Sequence, residues 1–134
     1  MLVTTAVFAS VLTLMFIKLS FSVIGFRRKN KVSLGAGGVA ELERAIRAHG
    51  NFAEYVPLGL FLMGALELNG APLELVAPLG CLLVLGRYLH AKGINAAPPE
   101  FTNRVRGMKL TFAALGLSAV ANLAWVGYLV VTST

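Results

Sequence analysis

Four long apolar runs occupy most of this 134-residue chain: Leu2–Phe26, about Phe52–Leu68, Leu73–Leu89 and Leu110–Val131. Each is close to the roughly 20 residues a helix needs to cross a bilayer, the second and third being lengthened by their flanks. A membrane barrel would show segments of about 10 residues with alternating polarity, and none is visible. The spacing predicts an all-α, integral membrane four-helix bundle with helices over about 2–26, 39–68, 72–91 and 107–131, forming a single domain. Composition agrees. Only 13% of residues are charged, about half the share of an ordinary soluble domain. The first run lacks a basic start, exceeds the length of a signal-peptide core and ends at the basic stretch Arg27–Lys31, so it is expected to remain as the first helix.

The net charge of +6 is placed unevenly. Arg27, Arg28, Lys29, Lys31, Arg44, Arg47, Arg87, Lys92, Arg104, Arg106 and Lys109 all fall around the first and third connections. The N-terminus, the connection Asn69–Pro72 and the C-terminal tail carry no Lys or Arg. The positive-inside rule then puts both termini on the non-cytoplasmic side and the basic connections in the cytoplasm, with Trp125 and Tyr128 in an outer aromatic belt. This placement argues against nucleic acid as a partner. Lys18 lies about 13 Å deeper than Arg27 along a helix; it either snorkels to the headgroups or pairs with a carboxylate of another helix. The single Cys81 gives no disulfide framework and reads as a small buried hydrophobe. Gly35–Gly38 is a flexible loop and not a phosphate cradle, since no strand precedes it and no GK[ST] follows. Lys92–Gly107 reads as the longest loop, broken by AAPPE (Ala96–Glu100). Ser118 and Asn122 lie four apart and are expected to mediate helix packing.

The second helix carries the chemistry. Arg47, Asn51, Glu54 and Tyr55 follow an i, i+4, i+7, i+8 pattern and share one stripe, with Glu43 in line and Arg44 on the flank. Leu58, Phe61, Leu62 and Ala65 continue it deeper, so the stripe is polar at the cytoplasmic end and apolar toward the bilayer centre. Charged groups at such a position usually mark function. Arg47 offers a planar fork for a carboxylate, Glu54 an acceptor for an ammonium, Asn51 an amide that donates and accepts, and Tyr55 a directional hydroxyl. The set describes a site for a small peptide. The competing reading is a structural ion pair of Arg47 with Glu54, although seven residues is too far for the best pairing within one helix. Arg87, Tyr88, His90 and Lys92, and then Asn103–Arg106, lie on the same side of the membrane and could close over the stripe. His90 reads as a hydrogen-bonded packing residue. No Cys, His and carboxylate set has metal-ligand spacing, so no metal is expected.

These residues resemble a known family. ERAIRAHGNFAEYVP (Glu43–Pro57) is similar to the signature of the MAPEG family, membrane-associated proteins in eicosanoid and glutathione metabolism. Its members include microsomal glutathione transferases, leukotriene synthases and small bacterial homologues of this length. The similarity extends through GRYLHAKG (Gly86–Gly93) and NRVRGMKLT (Asn103–Thr111) and covers essentially the whole chain. It implies a homotrimer with glutathione, the co-substrate, bound between neighbouring subunits on the cytoplasmic side of a bacterial inner membrane. Carried over by motif, Arg47, Asn51, Glu54 and Tyr55 match the family's glutathione contacts, with Arg44, Arg87 and Tyr88 beside them. Arg104 matches the catalytic arginine near the glutathione sulfur, with Arg106 as its competitor. Lys92 stands where leukotriene-synthase relatives carry a second tyrosine, and His49 replaces a polar amide, so eicosanoid chemistry does not carry over.

The expected function is a membrane-bound glutathione transferase or peroxidase of the detoxification type. It joins the glutathione thiolate to a hydrophobic electrophile drawn from the lipids, or reduces that electrophile. The alternative is a non-catalytic lipid-binding or scaffold trimer of the same fold. A small proton-coupled exporter is a weaker rival, because the first helix contains no acid.

Overall fold

The computed structural model describes residues 1–132. Four helices follow one another: α1 (Val3–Asn30), α2 (Ala40–Leu68), α3 (Leu73–Asn95) and α4 (Phe101–Thr132), with no strand among the described residues. α1, α3 and α4 are long and apolar enough to cross a membrane. α2 has the length, but Glu41, Glu43, Arg44 and Arg47 make its first turns polar. Large apolar side chains face outward on α1, α2 and α4 alike, Leu14, Phe61 and Leu123 being about 70% exposed or more (68%, 71% and 77%). Outer surfaces of that kind suit lipid or another protein rather than water.

At one end of the bundle α1 stops in a left-handed Lys31 (φ 54°), whose successor Val32 donates its N–H to the Arg27 carbonyl at 3.1 Å. The loop beyond needs left-handed backbone at Gly35, Gly37 and Gly38 (φ 65°, 56° and 74°), which glycine adopts without steric cost. The Arg27 side chain donates to the Gly35 carbonyl at 3.0 Å and ties this loop to α1. At the opposite end the two Glu67 carboxylate oxygens accept the backbone N–H groups of Thr4 and Thr5, each at 2.7 Å. A carboxylate from the last turn of α2 therefore satisfies free donors at the start of α1, where the helix dipole favours negative charge. Trp125 Nε1 donates to the Asn69 carbonyl at 2.8 Å and joins α4 to the same end. The C-terminus itself, expected on the outer side, lies outside the described residues.

Between these ends the core is made by Leu12 of α1, Phe52, Val56, Met63 and Leu66 of α2, Val76, Leu79 and Leu83 of α3, and Ala114 of α4. α3 and α4 approach most closely. A Cβ on Gly107 would lie 2.6 Å from the Gly86 carbonyl oxygen, and one on Gly86 would lie 3.0 Å from the Gly107 carbonyl oxygen. Only paired glycines let two backbones meet at that distance. Asn122 behaves as expected from its spacing, donating to the carbonyls of Leu62 (2.9 Å) and Ser118 (2.8 Å) and so clamping α4 to α2.

Two expectations are corrected. The third connection is only Ala96–Glu100, because α3 continues to Asn95 and α4 begins at Phe101, six residues before the expected start. The prolines do break the chain, but Glu100 lets helix resume at once: its carboxylate accepts from the Asn103 side chain at 2.7 Å and its carbonyl from the Arg104 N–H at 3.3 Å. Cys81 is exposed on the outer face of α3 and not buried.

Candidate functional site

The early start of α4 decides the site, since it puts Arg104 on a helix facing the first turns of α2. A cleft of about 450 Å³ opens there, walled by Glu43, Arg44, Arg47 and Asn51 of α2, His90 and Ile94 of α3, and Arg104 and Met108 of α4. Ala40 and Pro99 also line it. Three arginines and one glutamate line this space. The cleft therefore attracts anions, with Glu43 the single acceptor for a cationic group.

Beneath Asn51 lies Arg87, 1% exposed. Its Nε donates to Thr111 Oγ1 at 2.9 Å, its Nη1 to Asn51 Oδ1 at 2.7 Å and to the Asn51 carbonyl at 3.3 Å, and its Nη2 to Met108 Sδ at 3.2 Å. The Thr111 hydroxyl in turn donates a hydrogen bond to the Gly107 carbonyl at 2.8 Å. Arg87 also sits over the Tyr55 ring, 5.1 Å from its centroid, a distance at which the ring face attracts a cation. None of these partners is a carboxylate, so a full positive charge is held by neutral dipoles and one aromatic face. Such an arrangement is expensive and is tolerated only when every donor is directed. It fixes Asn51: the side-chain oxygen is taken by Arg87, which leaves the amide N–H groups for the cleft.

The structure thus brings Arg44, Arg47, Asn51 and Arg104 together around one space, with Arg87 and Tyr55 beneath them. Tyr55 is half-buried, edge-on to Phe112 with ring centroids 5.8 Å apart, and meets the cleft only through Arg87. Glu54 is exposed and does not line the cleft; Glu43 is the acid that does. Tyr88 follows Arg87 by one residue and hence by 100° around the helix, so it borders a separate groove with Lys18 and Lys92. Arg106, two residues beyond Arg104, is exposed and absent from the cleft wall, whereas Arg104 lines it.

His90 is the hydrogen-bonded packing residue the sequence led one to expect, and it is buried. It lines the cleft, and its Nδ1 is 3.0 Å from the Arg104 carbonyl oxygen. A carbonyl only accepts, so Nδ1 carries the proton of this hydrogen bond. Among Arg87, Tyr88, His90 and Lys92, the cluster expected to close over the stripe, it is His90 that lines the cleft. Met108 and Thr111 gave no sequence signal, because an apolar and a hydroxyl residue on an apolar helix look like packing. Among the described residues no group of three or more His, Cys, Asp or Glu side chains could hold a metal ion.

Comparison with known proteins supplies the context for this geometry. The model of the MAPEG family matches residues 5–124. The chain is 40% identical over 119 residues to inner membrane protein YecN of Escherichia coli strain K12, with 89% of each chain covered. The YecN protein of E. coli O6:H1 strain CFT073 matches to the same extent. A family match over nearly the whole length, on a four-helix chain with the arginine-rich cleft described above, places this protein in the MAPEG family.

Proposed function

We propose that this protein is a glutathione-dependent transferase or peroxidase of the bacterial inner membrane, working as a homotrimer with the cleft on the cytoplasmic side. The observation that carries the reading is the convergence of Arg44, Arg47, Arg104 and the oriented Asn51 amide on one cleft at the charged end of the bundle. Glutathione carries two carboxylates, one ammonium, two amides and a thiol. Guanidinium forks suit the carboxylates, Glu43 suits the ammonium, and the Asn51 N–H groups suit a peptide carbonyl. A thiol with an ordinary pKa of about 8.5 is mostly protonated at neutral pH, and a neighbouring guanidinium favours the thiolate, each unit of lowering corresponding to about 1.4 kcal/mol. Arg104 fills that role. The thiolate attacks an electrophilic carbon, the new S–C bond taking the sulfur pair while the leaving group departs with its own.

Trimer formation is supported by one stripe of α2. Arg47, Glu54, Leu58 and Phe61 recur at intervals of seven, four and three and are all exposed, polar at one end and apolar at the other. A second copy laid on this stripe would cover the apolar part and bring Glu54 back to the site from a neighbour. The inner-membrane placement follows the relatives named above, and the orientation follows the basic connections.

Calorimetry of detergent-purified protein with glutathione tests the reading. Saturable binding in the wild type, lost in Arg47→Ala, is expected. Arg104→Ala retains most binding but loses turnover of a chlorodinitrobenzene electrophile. A folded trimer that binds no glutathione would favour the non-catalytic lipid-binding alternative.

A further inference from the structure

On the side of α3 away from the cleft, two grooves between α1 and α3 meet at Tyr88. The one nearer the membrane centre, about 530 Å³, is lined only by apolar surface from residues such as Val7, Val11, Val84 and Leu85. The other, about 410 Å³, holds Lys18, Lys92 and Asn95 and contains no acidic side chain. Lys18 and Lys92 are both exposed. From Val7 to Lys18 the combined trough runs about 16 Å along α1.

Depth gives the trough its meaning. From Leu73, the first residue of α3, to Lys92 the helix rises about 28 Å, close to the roughly 30 Å hydrocarbon thickness. Lys92 therefore stands at the hydrocarbon boundary on the side of the basic connections, and Lys18 lines the same groove at the same level. Lys18 neither points into the bundle nor meets a carboxylate there. Two ammonium groups and an amide at the boundary, Tyr88 just beneath, and an apolar channel below that match the outline of a lipid: phosphate, glycerol, acyl chain.

We propose that the α1–α3 trough is a binding site for an anionic phospholipid, its phosphate held by Lys18 and Lys92 and one acyl chain lying along Val11 and Leu85. The charge selects the occupant, since two unneutralised cations beside an apolar channel disfavour a neutral or cationic amphiphile and a hydrophobic peptide alike. The site is separate from the glutathione cleft and does not depend on that reading.

The test uses the detergent-purified full chain, titrated with phosphatidylglycerol or phosphatidylcholine and read by thermal unfolding and native mass spectrometry. Phosphatidylglycerol is expected to be retained and to raise the melting temperature, and phosphatidylcholine is not. Lys18→Gln/Lys92→Gln should lower apparent phosphatidylglycerol affinity about tenfold or more. Arg28→Gln, which removes an exposed charge outside the trough, should leave it unchanged. Val11→Trp, which fills the channel without touching the charges, should also displace the lipid and decides the matter if the double variant does not fold. Equal responses to the two lipids, an equal loss in Arg28→Gln, or unaltered retention in both trough variants would overturn the proposal.

Discussion

Gly107→Ala is the most economical perturbation of this protein, because one methyl group acts on both the α3–α4 contact and the floor of the cleft. The added Cβ would lie 2.6 Å from the Gly86 carbonyl oxygen, where ordinary contact begins at 3.4 Å, and it would also press on the His90 backbone nitrogen. Relieving the Gly86 contact alone takes about 0.8 Å, the difference between those distances, and the His90 nitrogen lies closer still, so the helices must separate by at least that much, with no side chain free to swing away. Because only backbone atoms oppose the new methyl, the overpacking cost falls in the upper part of its range, about 2–3 kcal/mol. The better helix propensity of alanine returns about 1 kcal/mol, so the net loss is about 1–2 kcal/mol. At roughly 4 °C per kcal/mol for a chain of this length, the melting temperature falls by about 4–8 °C. The Gly107 carbonyl also accepts from Thr111, which in turn accepts from Arg87, so glutathione affinity should fall together with stability. Gly116→Ala is the control within the same helix: nothing lies within 4 Å of its Cβ position, and the change should be neutral or stabilising by up to about 1 kcal/mol. Far-ultraviolet circular dichroism in detergent measures both variants. A Gly107→Ala protein that melts at or above the wild type would refute the close-contact argument.

Thr111→Val keeps the shape of the side chain but removes the acceptor for Arg87 Nε; a loss of about 1–3 kcal/mol in thermal or denaturant unfolding is expected. Asn51→Ala leaves Arg87 Nη1 without its side-chain acceptor and should cost a similar amount. Adding Arg87→Met should recover part of that stability, because the buried charge is then gone; a double-mutant cycle reads the coupling. Glu67→Gln replaces a charged two-oxygen acceptor at the start of α1 with one neutral oxygen, and should lower stability by about 1 kcal/mol, with hydrogen exchange rising first at the amides of Thr4 and Thr5. Arg106→Ala should leave glutathione turnover unchanged while Arg104→Ala abolishes it, a comparison made in one steady-state assay.

Much of this architecture is legible in residue order, because the bilayer imposes its own length scale. Apolar runs near 20 residues mark the helices, and the start and end of α2 were read to within one residue. The helical period also grouped Arg47 and Asn51 on one face, and the motif around them pointed to the family that the full-length comparison shows. What periodicity leaves open is which neighbour each face meets. Arg87 and Tyr88 are adjacent in the chain, yet one is buried under the cleft and the other borders the α1–α3 trough, a division set by where α1 and α4 pack against α3. Glu43 and Glu54 share a stripe, yet only Glu43 lines the cleft, while Glu54 stands exposed beside a length of α2 that α4 follows as far as Leu62. The dependence of Asn51 on Arg87, the capping of α1 by Glu67 and the contact of Gly86 with Gly107 join residues 21–63 positions apart. Local pattern fixes the phase of a single helix. The rotation and depth of one helix against another follow from glycine contacts and buried hydrogen bonds, which exist only once the bundle has closed.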